Sequence, residues 1–153
     1  MKQRPWVLTV PANAAVGRSL PYPYPAGVVD HLAAEHFEGN VMVPFEVGAF
    51  VIWKLHPRVK VSLDSRYEVA YRPGLVEEHL EFYDAGPAWR SIRERYPTDL
   101  VLVRNDEPVG AALRDEGVWR MGYQDDVYTV FARPGVALPY RDRRGEQLSG
   151  TFP

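Results

Sequence analysis

The sequence predicts an α/β fold, a three-layer sandwich with a mostly parallel, Rossmann-like sheet closed by a C-terminal antiparallel hairpin. Two observations carry that expectation. Three short apolar runs, residues 41–43, 59–63 and 100–103, are built on Val, Leu and Met and interrupted only by Lys60 and Ser62, which is how strands covered on both faces read. Between them stand segments of helical spacing, and strands that alternate with helices place the helices on the two faces of the sheet. Each run also gives way at once to polar groups: Glu46 after the first, Asp64-Ser65-Arg66 after the second and Arg104-Asn105-Asp106 after the third. In open α/β sheets ligands bind beyond the carboxyl ends of the strands, so the pattern names a place as well as a fold.

Along the chain, Trp6, Leu8 and Val10 alternate with Val7 and Thr9 as a short strand does. Residues 11–25 then carry four prolines and read as a linker, which makes 1–24 an extended N-terminal segment. Pro25 sits at a first helical position, and Val28, Val29, Leu32, Ala33 and Phe37 recur at helical spacing over about 26–37, with Gly39 as the stop. The first core strand follows at 40–43. Val47, Phe50, Val51 and Leu55 mark a second helix, apolar over most of its circumference, expected to be deeply buried and stopped by Pro57. Next come strand 59–63, an irregular stretch, and a helix at 75–83 whose apolar positions are Val76, Leu80 and Tyr83.

Pro87 opens a helix through Tyr96 with Trp89, Ile92 and Tyr96 on one face. After strand 100–103, Asp106 or Asn105 is placed to cap a helix begun near Pro108, and Gly117 to end it in the left-handed conformation. Trp119, Met121 and Tyr123 alternate with polar neighbours, 124–126 is a turn signal, and 127–132 returns as the antiparallel partner. The α/β domain thus spans 25–135, and the aperiodic, arginine-rich 136–153 reads as a poorly ordered tail.

Composition narrows function mainly by exclusion. With 153 residues the chain makes one domain, and its net charge of -2, from well-mixed acids and bases, gives no electrostatic footprint for nucleic acid. Cysteine is absent, which removes thiolate catalysis, disulfides and cysteine metal sites. The longest apolar stretch, 47–53, is far short of the roughly 20 residues of a membrane-spanning helix. There is no Gly-x-Ser-x-Gly elbow, no Gly-x-x-x-x-Gly-Lys-Ser/Thr loop, no Gly-x-Gly-x-x-Gly fingerprint and no Asp-x-Asp motif. His31, Glu35 and His36 share a helix, yet their spacing fits neither zinc helix motif, so no metal or other cofactor is expected.

Several residues resemble a known pattern. Tyr24-Pro25-Ala26-Gly27-Val28-Val29 opens a helix, Gly39-Asn40-Val41 enters a strand, Phe45 to Trp53 forms an aromatic- and glycine-containing helix, and Asp64-Ser65-Arg66 follows the next strand. Together with the late Trp119, Tyr123, Asp125 and Phe131, these resemble the C-terminal soluble domain of polytopic bacterial membrane proteins that are glycosyltransferase-like and similar to the dolichyl-phosphate mannosyltransferase type. The likeness covers roughly 22–133. Ala49 stands where the family pattern has a second glycine, and Ser65 where it has the glycine of Asp-Gly-Arg. The resemblance implies an extracytoplasmic accessory domain without catalysis of its own, partnered by the membrane-embedded part of the same parent and positioning or recognising a glycan or protein acceptor.

The candidate ligand-binding residues are Glu46, Asp64, Arg66, Tyr67 and Asp106. Asp64 and Arg66 lie two apart past a strand end, where the pair can brace the loop or Arg66 can hold an anion bidentately. Glu46 suits the first turn of a helix, where a carboxylate meets unpaired N–H groups; the alternative pairs it with Asp64 as acid and base. Tyr67 and Tyr71 fall outside any periodic element and are placed to stack on a sugar, whereas Trp53, Trp89 and Trp119 read as packing. His79 and His56 read as a solvated helix residue and a helix C-terminal cation. The alternative function is a free-standing small α/β enzyme or ligand-binding protein using Glu46, Asp64, Arg66 and Asp106.

Overall fold

The structure, a computed structural model, describes residues 8–11 and 24–152. Its centre is a mixed six-stranded sheet that is mostly parallel, built from β2 (Gly39–Met42), β3 (Val59–Val61), β4 (Leu100–Arg104), β5 (Arg120–Gln124), β6 (Tyr128–Ala132) and β7 (Arg141–Asp142) in the order β3-β2-β4-β6-β5-β7. β2 pairs parallel with both β3 and β4, β6 pairs antiparallel with β4 and β5, and β7 pairs parallel with β5. A separate two-stranded ribbon joins β1 (Leu8–Pro11) to β8 (Ser149–Phe152). The remainder of the proline-rich stretch proposed as a linker lies outside the described residues.

The helices are α1 (Ala26–Ala34), α2 (Gly48–Leu55), α3 (Tyr67–Ala70), α4 (Leu75–Tyr83), α5 (Trp89–Arg95) and α6 (Pro108–Glu116). No helix among the described residues is long and apolar enough to cross a membrane. β4 shows why its sequence is unbroken Val and Leu. Leu100 and Leu102 enter one buried cluster with Val28 and Leu32 of α1 and Val51 and Leu55 of α2, while Val101 and Val103 enter a second with Phe82, Ile92 and Leu113 of α4, α5 and α6. Alternate residues of one strand therefore feed two cores.

Several elements depart from the expectations. α1 stops three residues early because Glu35, His36 and Phe37 close it: Phe37 N–H donates to Leu32 O and His36 N–H to Ala33 O, with His36 at φ 51. This is the double-bonded helix end usually built on glycine, sealed here by packing of Phe37 with Leu32 in the core. The α4 end repeats it with Ala85 at φ 51, where Gly86 N–H donates to Glu81 O and Ala85 N–H to Phe82 O. The buried face of α4 is also rotated from the one expected. His79, Phe82 and Tyr83 point inward and Leu80 is 54% exposed, because His79 finds a backbone carbonyl to bond and so tolerates burial.

α2 is less enclosed than its composition implies, since Trp53 is 43% exposed with Lys54 Nζ lying 4.2 Å from its ring centre. A bulge between Met121 and Tyr123 breaks the alternation of β5, leaving Met121 exposed and Tyr123 buried. The expected tail is instead built into the fold. Leu138 and Leu148 are buried in the α1–α2 core, β7 extends the sheet past β5, and Arg143 N–H donates to Gln124 O. Isolated leucines with no repeat supply the anchoring, which is why periodicity did not register it.

Candidate functional site

The chain leaves β2 through α2 to reach β3 on one side, then returns past β2 to β4 on the other. Such a reversal of strand order opens a crevice at the carboxyl ends of the two central strands. Met42 and Val101 are the last paired residues of β2 and β4, and beyond them the strands part. α4 reaches into the gap: His79 Nε2 donates to Val43 O at 2.6 Å, and one turn later Tyr83 Oη donates to Leu102 O at 2.9 Å. Burial pushes His79 down to about 4 and the Tyr83 phenol well up, so both are neutral at pH 7.

Above these two side chains lies a cleft of about 420 Å³. One wall is Pro44, Phe45 and Glu46, where extended Pro44 ends β2 and a 3-10 turn, Phe45–Val47, turns Glu46 outward. The opposite wall is Arg104, Asp106, Glu107 and Pro108 after β4, with His79, Tyr83 and Asp84 closing the third side. Arg104 ties the walls together. Its guanidinium donates to both Asp106 carboxylate oxygens, Nε and Nη2 each at 2.9 Å, and Nη1 donates to Glu46 Oε1 at 3.2 Å. The Arg104 hydrogen bonds hold the Asp106 carboxyl below the usual range.

Glu107 behaves differently. It stands just before α6, yet its side chain caps nothing in that helix and turns back to accept the Arg104 N–H at 2.6 Å through Oε2. Pro108 at the first helical position has no N–H to satisfy, and the Gly110 N–H donates to the Glu107 backbone carbonyl at 3.0 Å. Burial pushes Glu107 up to about 7, against the pull of the Arg104 N–H and guanidinium. The loop is fixed from behind by Asn105, whose Nδ2 donates to Asp125 O at 2.9 Å and whose Oδ1 accepts from Thr129 Oγ1 at 2.7 Å. Asp125 is itself buried and accepts from Tyr123 Oη, Val127 N–H and Tyr128 N–H, making the hairpin turn expected of it.

Of the sequence candidates, Glu46 and Asp106 meet across the cleft through Arg104. Asp64 and Arg66 do not line it. Asp64 is 1% exposed and Arg66 grips it with Nε at 3.0 Å, Nη2 at 2.6 Å and its own backbone N–H at 2.9 Å. Those Arg66 hydrogen bonds lower the Asp64 carboxyl, and the pair braces the loop after β3. Tyr67 opens α3, and its side chain lies outside the described residues. Glu107, His79 and Tyr83 are members that sequence reasoning missed. Only Glu107, adjacent to the Arg-Asn-Asp triplet, carried a local signal. Among the described residues no group of three or more His, Cys, Asp or Glu is placed to hold a metal ion.

The chemistry of the cleft follows from its charges. Four carboxyl groups, Glu46, Asp84, Asp106 and Glu107, line the cleft with one guanidinium that is already engaged by two of them. An anionic ligand meets net repulsion here, whereas hydroxyl and ammonium donors meet acceptors. Comparison with known proteins finds no family model that matches the chain, and no curated protein or solved structure that matches it significantly.

Proposed function

We propose that this chain is a non-catalytic recognition domain that holds a neutral polyhydroxylated acceptor, a glycan or a glycan-bearing protein, in the switch-point cleft. The observation that carries the reading is the set of carboxylates from two loops, Glu46 and Asp106, held a fixed distance apart by one shared arginine. Preorganised acceptors of this kind suit sugar hydroxyls, and the acidic surroundings disfavour a sugar phosphate or a pyrophosphate carrier. In this reading the domain is an extracytoplasmic part of a larger glycosyltransferase-like membrane protein, and the resemblance through Tyr24-Pro25, Gly39-Asn40 and Asp64-Ser65-Arg66 supports it. The same reading takes the two buried clusters as the contacts of the central sheet with a helical layer on each face, which makes the domain a three-layer sandwich.

The test is binding to an immobilised panel of neutral and phosphorylated mannosides. Neutral oligosaccharides bind, phosphorylated ones do not, and Glu46→Gln with Asp106→Asn weakens binding at least tenfold, the cost of losing hydrogen bonds to charged acceptors. Preferential binding of the phosphorylated set overturns the proposal. A second reading, a small α/β enzyme, has one observation in its favour: Glu107 in the cleft wall is pushed up to about 7, near the ideal for a general acid or base. Hydrolysis of aryl mannosides that is abolished by Glu107→Gln and untouched by Asp64→Asn decides for it.

A further inference from the structure

On the α4–α5 side of the sheet, over β2 and the outer strand β3, lies a second cavity of about 350 Å³, within the range of small-molecule sites. It shares only His79 with the cleft. Met42, Leu75 and Ile92 give it an apolar lining, and Tyr71 and Tyr96 supply aromatic surface. Its polar groups are unevenly occupied. Glu78 is neutralised by Arg72 at 2.7 Å and Arg95 at 2.9 Å, and accepts from Tyr96 Oη at 2.8 Å. Lys60 makes no ion pair with any described residue, and Asn40, its cross-strand neighbour in the β2–β3 register, lines the same end.

The inner wall has a fixed polarity as well. Val43 O can only accept, so His79 Nε2 carries its proton and the ring's Nδ1 is left as an acceptor. From this arrangement we infer that the cavity is a binding site for a small aromatic carboxylic acid, its ring between the apolar floor and the tyrosines, its carboxylate on Lys60 and Asn40. A donor on the ring, such as an indole N–H, suits the His79 acceptor. Ser62, just past β3, adds a hydroxyl, its oxygen already accepting the Val43 N–H at 3.1 Å. The site is independent of the glycan reading, because its occupant is anionic and, His79 apart, lies on different residues.

The experiment is a titration of the ¹⁵N-labelled protein with indole-3-acetate, and in parallel with the uncharged indole-3-acetamide. Saturable amide shifts at Asn40, Val61, Ser62 and Ile92, at least tenfold weaker binding of the amide, and at least tenfold weaker binding of indole-3-acetate to Lys60→Gln are expected. Lys60 is exposed and unpaired among the described residues, so this variant folds. A filling variant, Leu75→Trp, abolishes the shifts while its own spectrum stays dispersed. Equal affinity for acid and amide, indifference to Lys60→Gln, shifts centred on Glu46 and Asp106, or no saturable shift at all overturns the inference.

Discussion

Replacing Glu107 with glutamine removes a charge that the fold holds at a cost. The carboxyl goes from an ordinary 4.5 to about 7 because burial outweighs the Arg104 N–H it accepts. A displacement of that size corresponds to roughly 3 kcal/mol of penalty on the charged form. Partial access of solvent to the cleft wall reduces this, and glutamine keeps an oxygen for the Arg104 N–H, so a gain of about 1–2 kcal/mol is expected for Glu107→Gln at about pH 8.5. The direction with pH follows from proton counting. Below 4.5 both folded and unfolded wild type are protonated and the variant gains nothing. Between 4.5 and about 7 the folded state keeps a proton that the unfolded state has lost, so wild-type stability falls as pH rises, and above about 7 the full penalty applies. Urea denaturation of both proteins at about pH 4, 6 and 8.5 reads the difference. A variant that is less stable than wild type at the highest pH, or an offset that does not change with pH, refutes the reasoning.

Three other perturbations follow from the geometry. Asp64→Ala removes the acceptor of the Arg66 side chain and backbone N–H and costs about 2 kcal/mol in urea denaturation; because Asp64 is held low, its contribution is present above 3.8 and fades as pH falls below that value, so the variant and wild type converge in strong acid. Gly48→Ala costs about 3 kcal/mol, since a Cβ there lies 2.0 Å from the Leu63 carbonyl oxygen and α2 must move off the loop after β3; an unchanged melting temperature contradicts this. His36→Gly relieves a left-handed residue that lacks glycine's freedom and raises stability by about 0.5–1 kcal/mol, an increase that thermal melts of the two proteins detect.

Much of the central sheet was legible because β2 and β4 are covered on both faces, which leaves no room for polar alternation. Helix ends were less so: the chain closes α1 on His36 and α4 on Ala85, where a reader looks for glycine. His79 hid the true face of α4, since a histidine becomes a core residue only when a carbonyl from a distant strand, here Val43 O, is brought to it. The C-terminal segment was opaque for a related reason, because Leu138 and Leu148 gain their burial from α1 and α2, more than eighty residues away in the chain. Strand-end logic found Glu46 and Asp106 but also Asp64 and Arg66, which occupy an equivalent position after an outer strand and satisfy each other there. What separates the two pairs is topology: the order of strands reverses between β2 and β4.

The claim that this reversal creates a recognition site is tested most directly by titrating ¹⁵N-labelled protein with a neutral mannobiose and following every assigned amide. Saturable shifts confined to Phe45–Val47 and to residues 104–109, lost together in the Glu46→Gln/Asp106→Asn variant, are the predicted result. Shifts that persist in that variant, or that appear only outside the cleft, contradict the account.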